Sequence, residues 1–345
     1  MSALSHKSEK ISGDKREHAD RSIGAITLLL LLILACIHPQ YRSINNYMNI
    51  LREASFLGVA ALGMMNVIIT CNTDLSIGTM MALASVIMLK LMPTIGVLPA
   101  LLLCVLTCVL LSLFNGYLVV YCKIFAFILT LGMQYVFKGV AHIITNQKIV
   151  SATDMFFTQI GNLNIFAGNG FDGIPLPFVI FLVLAIFSYI LLHNTGFGRK
   201  VFAVGNSESA AKLAGVNVKR VKLATYGLLG FFVGVAGILI SSRLWMASAE
   251  MRQSYEFDVI TVVVMGGVAF SGGKGNVINT VISSIFFATI YNVINHFNVD
   301  PYWQYILRAL LLTLAFSVSN IKAAVISRLD QRRYRQELRR RNAQC

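Results

Sequence analysis

The chain has 345 residues, 56% of them hydrophobic and 13% charged, with a mean hydropathy of +0.70. A water-soluble domain carries about 25% charged residues, so most of this surface is expected to face lipid, and a soluble globular class is excluded. The formal charge of +14 sits at the two ends and in one central loop. That placement argues against a nucleic-acid partner and reads as membrane topology, with membrane lipid, anionic lipid above all, as a secondary partner.

From the start, Met1 to Arg21 is polar and basic, and no small-residue cleavage signature follows its first apolar run, so a cleaved signal peptide is not expected. About 20 apolar residues in a helix cross a ~30 Å hydrocarbon layer. Candidate spans lie near 22–39, 55–72, 75–92, 95–121, 124–145, 176–193, 222–242, 257–271, 276–295 and 302–322. The second and third are barely separated and the eighth is short. These three can include a broken or re-entrant helix in place of three full crossings, which is tolerated only where protein or a water-filled cavity covers it.

Ten crossings place both termini on one side. Five Lys/Arg in 1–21, Lys123, six in 194–222, Lys274 and eight from Lys322 onward put 21 basic residues on that side. Arg42, Arg52, Lys90, Lys148, Arg243 and Arg252 put six on the other. The split predicts cytoplasmic termini and a cytoplasmic loop 194–222. The segment 146–175, rich in Asn, Gly and Thr and poor in Lys and Arg, has the composition of a loop on the opposite side. The tail from Arg328 to Arg341 reads as a basic helix continuing the last span. The chain divides into a basic cytoplasmic segment 1–21, a transmembrane unit 22–322 and a basic cytoplasmic tail 323–345. Five of the six cysteines lie in or beside apolar segments and none has metal-ligand spacing, so no disulfide framework or metal site is expected.

Within span 222–242, Gly227, Gly230, Gly234 and Gly237 share one helical face, and Gly230 and Gly234 form a GxxxG pair that lets two backbones approach. The face serves either a subunit or gate interface or ordinary packing within the chain. Asn66, Asn115, Thr130, Gln134, Asn279, Ser283 and Asn292 lie in or near spans. Polar side chains in hydrocarbon turn to the protein interior or a cavity. As a set they outline a candidate translocation path for a neutral polyol, although each one alone is equally explained by hydrogen bonding between helices. No Asp/Glu/His relay of the proton-driven kind runs through the spans, and Asp74 and Asp258 are placed at span ends within reach of water.

The run from Gly266 to Gly275 resembles a phosphate loop but has Val268 where Walker A needs glycine and Gly275 where it needs Ser or Thr. The chain is therefore not expected to hydrolyse ATP, nor to be an enzyme. In loop 194–222, Asn206 or Ser207 can cap a helix, Glu208 suits its first turn, and Gly215 can end it in a left-handed conformation. So short a helix is marginal alone, which points to a partner surface, with a solvated loop as the simpler alternative.

These blocks are similar to a known family. Gly196-Phe-Gly-Arg-Lys-Val-Phe-Ala-Val-Gly205, Glu208-Ser-Ala-Ala211 and Gly215-Val-Asn-Val218 carry the resemblance, together with Tyr255-Glu-Phe-Asp-Val-Ile260 and Ser271-Gly-Gly-Lys-Gly275. Thr73-Asp-Leu-Ser-Ile-Gly78, Asn115-Gly116 and Leu129-Thr-Leu-Gly132 add weaker matches. From about Asn49 to Asn320 the chain resembles the permeases of bacterial ribose/galactose-type ABC importers, which include autoinducer-2 permeases and are related to branched-chain amino acid permeases. It departs from them at Ser207, where a Gly-Gly-Asn pattern is lost, and at Phe125-Ala126-Phe127, which lacks a proline.

The resemblance implies an all-α membrane protein of about ten transmembrane helices in a homodimer, or paired with a paralogue, in the bacterial inner membrane. It implies a cytoplasmic ATP-binding subunit that holds ATP with Mg, and a periplasmic sugar-binding protein that selects the substrate. It assigns 206–217, with Asn206, Glu208, Ala210, Ala211, Gly215 and Asn217, to docking on the ATPase. The function expected is a permease subunit of an ATP-driven importer for a sugar or sugar-like small polar solute, with an ion-gradient-driven secondary transporter as the alternative.

Overall fold

The computed structural model describes residues 43–168 and 172–296 continuously, with isolated positions at 27, 29, 33, 36 and 41 and between 302 and 317. The expected spans 22–39 and 302–322, the N-terminal segment and the basic tail fall outside or almost wholly outside these residues. Among the described residues, seven helices are long and apolar enough to cross a membrane, and the chain is a multi-pass helical membrane protein.

Helix α1 (Ile44–Ile69) forms the centre, and every residue from Ala54 to Thr70 is buried. It starts eleven residues ahead of the apolar run because its polar first turns find partners. Asn46 and Asn292 exchange amide hydrogen bonds at 3.3 and 3.1 Å. Arg52 donates to Asn49 at 3.3 Å and to Asn164. Small residues along α1 then let other helices close on it from several sides.

Helix α2 (Ile77–Ile95) ends at Gly96, whose φ of +83° turns the chain directly into α3 (Val97–Val120). Helix α3 buries Ala100, Cys104, Cys108, Ser112 and Asn115, a stripe at helical spacing, and leaves Leu98, Leu102, Leu106, Leu110 and Phe114 exposed. An exposed apolar stripe of this length marks a surface that lipid or a partner helix covers. Helix α4 (Ala126–Thr145) follows and ends in a left-handed Asn146.

The segment after α4 is an ordered cap. Val150–Ser151 pairs antiparallel with Met246–Ala247, and Asn164–Ile165 with Ile174–Pro175. Between them lies α5 (Met155–Ile160), whose Phe157 N–H donates to the Asp154 carboxylate at 3.0 Å. Helix α6 (Leu176–Tyr189) continues through a π turn to Asn194. Two short helices, α7 (Gly196–Asn206) and α8 (Glu208–Leu213), lead into α9 (Val218–Leu244). Finally come α10 (Tyr255–Met265) and α11 (Val277–His296).

Helix α10 lies in the eighth candidate span, 257–271, and is short, as the broken-helix alternative for that segment allowed. Its 11 residues rise about 16 Å, half of a ~30 Å hydrocarbon layer. Gly266 and Gly267 stop it, the latter with a φ of +84°. The segments near 55–92 are, by contrast, two full-length helices.

The four glycines of α9 face other helices of the same chain. A Cβ on Gly230 would lie 2.6 Å from the Cys108 carbonyl oxygen and the Val109 Cα of α3, and one on Gly234 would lie 2.7 Å from the Val105 Cα. Gly237 meets Met81 and Ser85 of α2, while Gly227 meets only the end of the Leu113 side chain. Gly230→Leu is expected to lower stability by about 1–3 kcal/mol or more through overpacking, whereas Gly227→Ala is tolerated. Thermal unfolding of both variants in the same detergent checks this, and equal midpoints would contradict it.

Candidate functional site

At one end of the helix bundle, loop 195–217 folds into a capped helical pair. The Thr195 hydroxyl accepts from the Gly198 N–H at 3.3 Å and starts α7. Asn206 is the last residue of α7, so Ser207 is the cap of α8, accepting from the Ala210 N–H at 3.3 Å. Glu208, in the first turn of α8, pairs with Lys222 of α9. The Val216 N–H donates to the Ala211 carbonyl and the Gly215 N–H to the Lys212 carbonyl, each at 3.0 Å. With Gly215 at a φ of +80°, this is the Schellman arrangement that closes a helix. The Asn217 side chain accepts from the Arg220 N–H at 3.1 Å and starts α9. Ala211 is buried against the body, Ala210 is exposed, and Leu213 at the tip of α8 is 91% exposed.

Beneath this pair three backbone segments meet. A Cβ on Gly205 would overlap the Ile69 carbonyl oxygen and come within 2.5 Å of the Gly273 nitrogen. The Gly273 N–H donates to the Ile69 carbonyl at 2.9 Å. The Cys71 thiol donates to the Ser271 carbonyl at 3.1 Å and to the Gly205 carbonyl at 3.5 Å. Gly272 and Gly273 hold φ of +79° and +69°, a region in which a side chain is strained. The run that imitates a phosphate loop is thus a backbone joint linking α7, the end of α1 and the connection from α10 to α11.

A second polar cluster holds the turn between α1 and α2. The Asp74 carboxylate accepts from the Ser76 N–H at 2.8 Å, the Ser76 hydroxyl at 2.6 Å and the Asn115 amide at 3.1 Å. Asn115 also donates to the Ser76 hydroxyl oxygen at 2.9 Å, and the Thr130 hydroxyl accepts from the Leu75 N–H at 3.0 Å. Asp74, Ser76, Asn115 and Thr130 are all fully buried, which corrects the expectation that water reaches Asp74. Gly116 permits the close approach of Tyr226, whose hydroxyl donates to the Thr73 carbonyl at 3.4 Å. Gln134 donates to Glu256 at 3.1 Å and ties α4 to the start of α10.

The expected path residues therefore divide. Asn115 and Thr130 come together around the 73–76 turn, and Gln134 joins α4 to α10. Asn66 is fully buried and donates to the Leu62 carbonyl of its own helix at 2.8 Å. Ser283 of α11 is fully buried as well, and neither its hydroxyl nor the Asn66 carbonyl oxygen has a hydrogen-bond partner. Asn279 is buried one turn before Ser283.

The opposite end holds a cavity of about 300 Å³ between α1, α10 and α11. Asn49, Glu53, Arg252, Asp258, Tyr291 and Asn292 give it a polar lining, with Phe56 and Phe287 beside them. Arg252 reaches Glu53 at 3.4 Å, and the Tyr291 hydroxyl donates to Asp258 at 3.2 Å. The loop beside it is fastened to α4 by Glu250, which meets Lys138 at 2.9 Å and His142 at 3.1 Å. The Lys138 hydrogen bond leads the contacts that hold the Glu250 carboxyl below its ordinary value. This site was missed in the sequence, although Asn45, Asn46, Asn49, Arg52 and Glu53 sit ahead of an apolar run at spacings that a helix would gather.

Comparison with known proteins matches residues 46–316 to the family described as branched-chain amino acid transport system / permease component. The ribose import permease protein of Escherichia coli K12 is 33% identical over 301 residues, covering 86% of this chain and 92% of the relative. The Bacillus subtilis ribose import permease protein is 32% identical over 326 residues, covering 92% and 100%. The galactose/methyl galactoside import permease protein of Escherichia coli K12 is 32% identical over 322 residues, covering 87% and 95%. No solved structure matches the chain significantly.

Thr130→Val leaves the buried Leu75 N–H without an acceptor, and such a loss costs about 1–3 kcal/mol. Thr130→Ser keeps the acceptor and is expected to stay near wild type. Denaturant unfolding of the two variants separates these outcomes, and a valine variant as stable as the serine one would remove the hydroxyl from this role.

Proposed function

The chain belongs to the branched-chain amino acid transport system / permease component family, and from that premise we propose that it is the permease subunit of an ATP-driven importer for a sugar or sugar-like small polar solute in a bacterial inner membrane. Relatives named for ribose, galactose and xylose transport support the solute class. Both termini and loop 195–217 face the cytoplasm in this reading, with 22–322 as the transmembrane unit between basic segments 1–21 and 323–345. A separate cytoplasmic subunit binds and hydrolyses ATP with Mg, a periplasmic binding protein delivers the solute, and a second permease copy or paralogue completes the pathway.

The observation that carries this reading is the exposed pair α7–α8 seated on a backbone joint. Helix α8 is too short to persist by itself, yet it is capped at both ends and presents Leu213 to solvent. A soluble subunit that takes Leu213 into a pocket gains a lever on α7. Movement of α7 passes through Gly205 into the end of α1 and into loop 266–276, which carries the half-helix α10. The polar cavity at the far end of α10 lies where the motion arrives and offers the Asn49 and Asn292 amides and the Tyr291 hydroxyl to a polyol, beside the Glu53–Arg252 pair and Asp258. Binding of that kind favours passage over retention.

Vesicles holding the permease, its ATPase and its binding protein test this directly. Uptake of a pentose or hexose is expected only with ATP and the ATPase present, and uptake that persists without either would contradict the proposal. Gly215→Pro removes the donor that closes α8, and Glu208→Lys breaks the pair with Lys222. Both are expected to leave the protein inserted while ATP hydrolysis no longer drives uptake, and wild-type coupling in both would remove α8 from the docking role.

A further inference from the structure

A second cavity, of about 640 Å³, lies between the end of α3 and the helices α8 and α9. Lys123, Lys212, Lys219 and Lys222 line it, together with Glu208. Glu208 is paired with Lys222. Among the described residues no carboxylate lies within salt-bridge distance of Lys123, Lys212 or Lys219. Three ammonium groups that share one concavity repel one another, and an anion that enters it relieves that repulsion.

The surface leading to the cavity identifies the anion. The exposed stripe of α3, Leu98, Leu102, Leu106, Leu110 and Phe114, runs down the lipid-facing side to Tyr117 and Tyr121, whose rings stack at 5.1 Å. Tyrosines mark the boundary between hydrocarbon and headgroups. The Lys219 ammonium sits 4.9 Å from the centre of the Tyr121 ring, at the rim of the cavity. An apolar track, an aromatic boundary and a basic pocket thus follow in sequence along one helix.

We propose that this cavity binds the phosphate headgroup of an anionic phospholipid whose acyl chains lie along α3. Basic pockets at the ends of membrane helices recognise such headgroups. Because α8 and the first turn of α9 form one wall, the bound lipid braces loop 195–217 against the body of the protein. The proposal needs the membrane embedding but not the sugar assignment, so the two fail independently.

Native mass spectrometry of the full chain, released from nanodiscs of mixed phosphatidylglycerol and phosphatidylcholine, reads the outcome. Wild-type protein is expected to retain phosphatidylglycerol in preference to phosphatidylcholine. Near a membrane surface each lysine contributes enough that Lys123→Gln/Lys219→Gln is expected to weaken retention on the order of thirtyfold. Lys123→Arg/Lys219→Arg is expected to keep it, as is the control Lys148→Gln, whose lysine lies outside the cavity. Equal retention of the two lipids by wild type would overturn the proposal without reference to any variant. Displacement of the lipid by millimolar inorganic phosphate would make the site one for a free anion. Loss of ATPase binding in the glutamine variant with lipid retention unchanged would make it a protein-docking surface. Either result would overturn the lipid assignment.

Discussion

The hydrogen bond from the Gly273 N–H to the Ile69 carbonyl, 2.9 Å long, is the contact on which the account rests. It joins the end of α1, buried throughout from Ala54 to Thr70, to the loop that carries the half-helix α10, and Gly205 of α7 closes over both. Backbone meets backbone directly at Gly205, Ile69 and Gly273, with the short Cys71 side chain bridging the Ser271 and Gly205 carbonyls beside them, so there is little to compress or rotate. Packed interiors transmit displacement because they lack free volume. A joint of this kind transmits force in a way that a contact between flexible side chains does not.

The rest of the architecture serves the two ends of that joint. On the side of α8, caps at Ser207 and Asn217 and the closure at Gly215 make a short rigid handle. On the other side, the Asp74 cluster fixes the turn between α1 and α2, and Gln134 anchors the start of α10 through Glu256. The glycine face of α9 packs on α3 and α2, and completes the frame within which α1 and α10 are held.

Much of this was legible from residue patterns. Most helix positions followed from apolar length, and helix α8 followed from Ser207, Glu208 and Gly215, whereas α7 and the start of α9 at Asn217 did not. Two further features were not legible, for different reasons. Helix α1 begins in a stretch with Asn, Arg and Glu, and hydropathy cannot register that Asn292 and Asn164 satisfy them from elsewhere in the chain. The run Gly266–Gly275 fails as a phosphate loop, but its positive role depends on Ile69 and Gly205, which are distant in sequence. Asn115 and Thr130 illustrate a third limit, since an uncharged polar side chain in a span suits a pore and a buried hydrogen bond equally. Only the location of the Asp74 turn separates the two.

The most direct measurement is a pair of distances by electron paramagnetic resonance in the assembled transporter, with and without ATP. Native cysteines are replaced by serine and spin labels are placed at Ser209 and Lys274 across the joint, and separately at Asn49 and Gln253 across the cavity. A rigid joint predicts that the first distance stays constant through the cycle while the second changes. A first distance that shifts while the second stays fixed would show that α8 and the glycine loop move apart, and would contradict transmission through Gly205, Ile69 and Gly273.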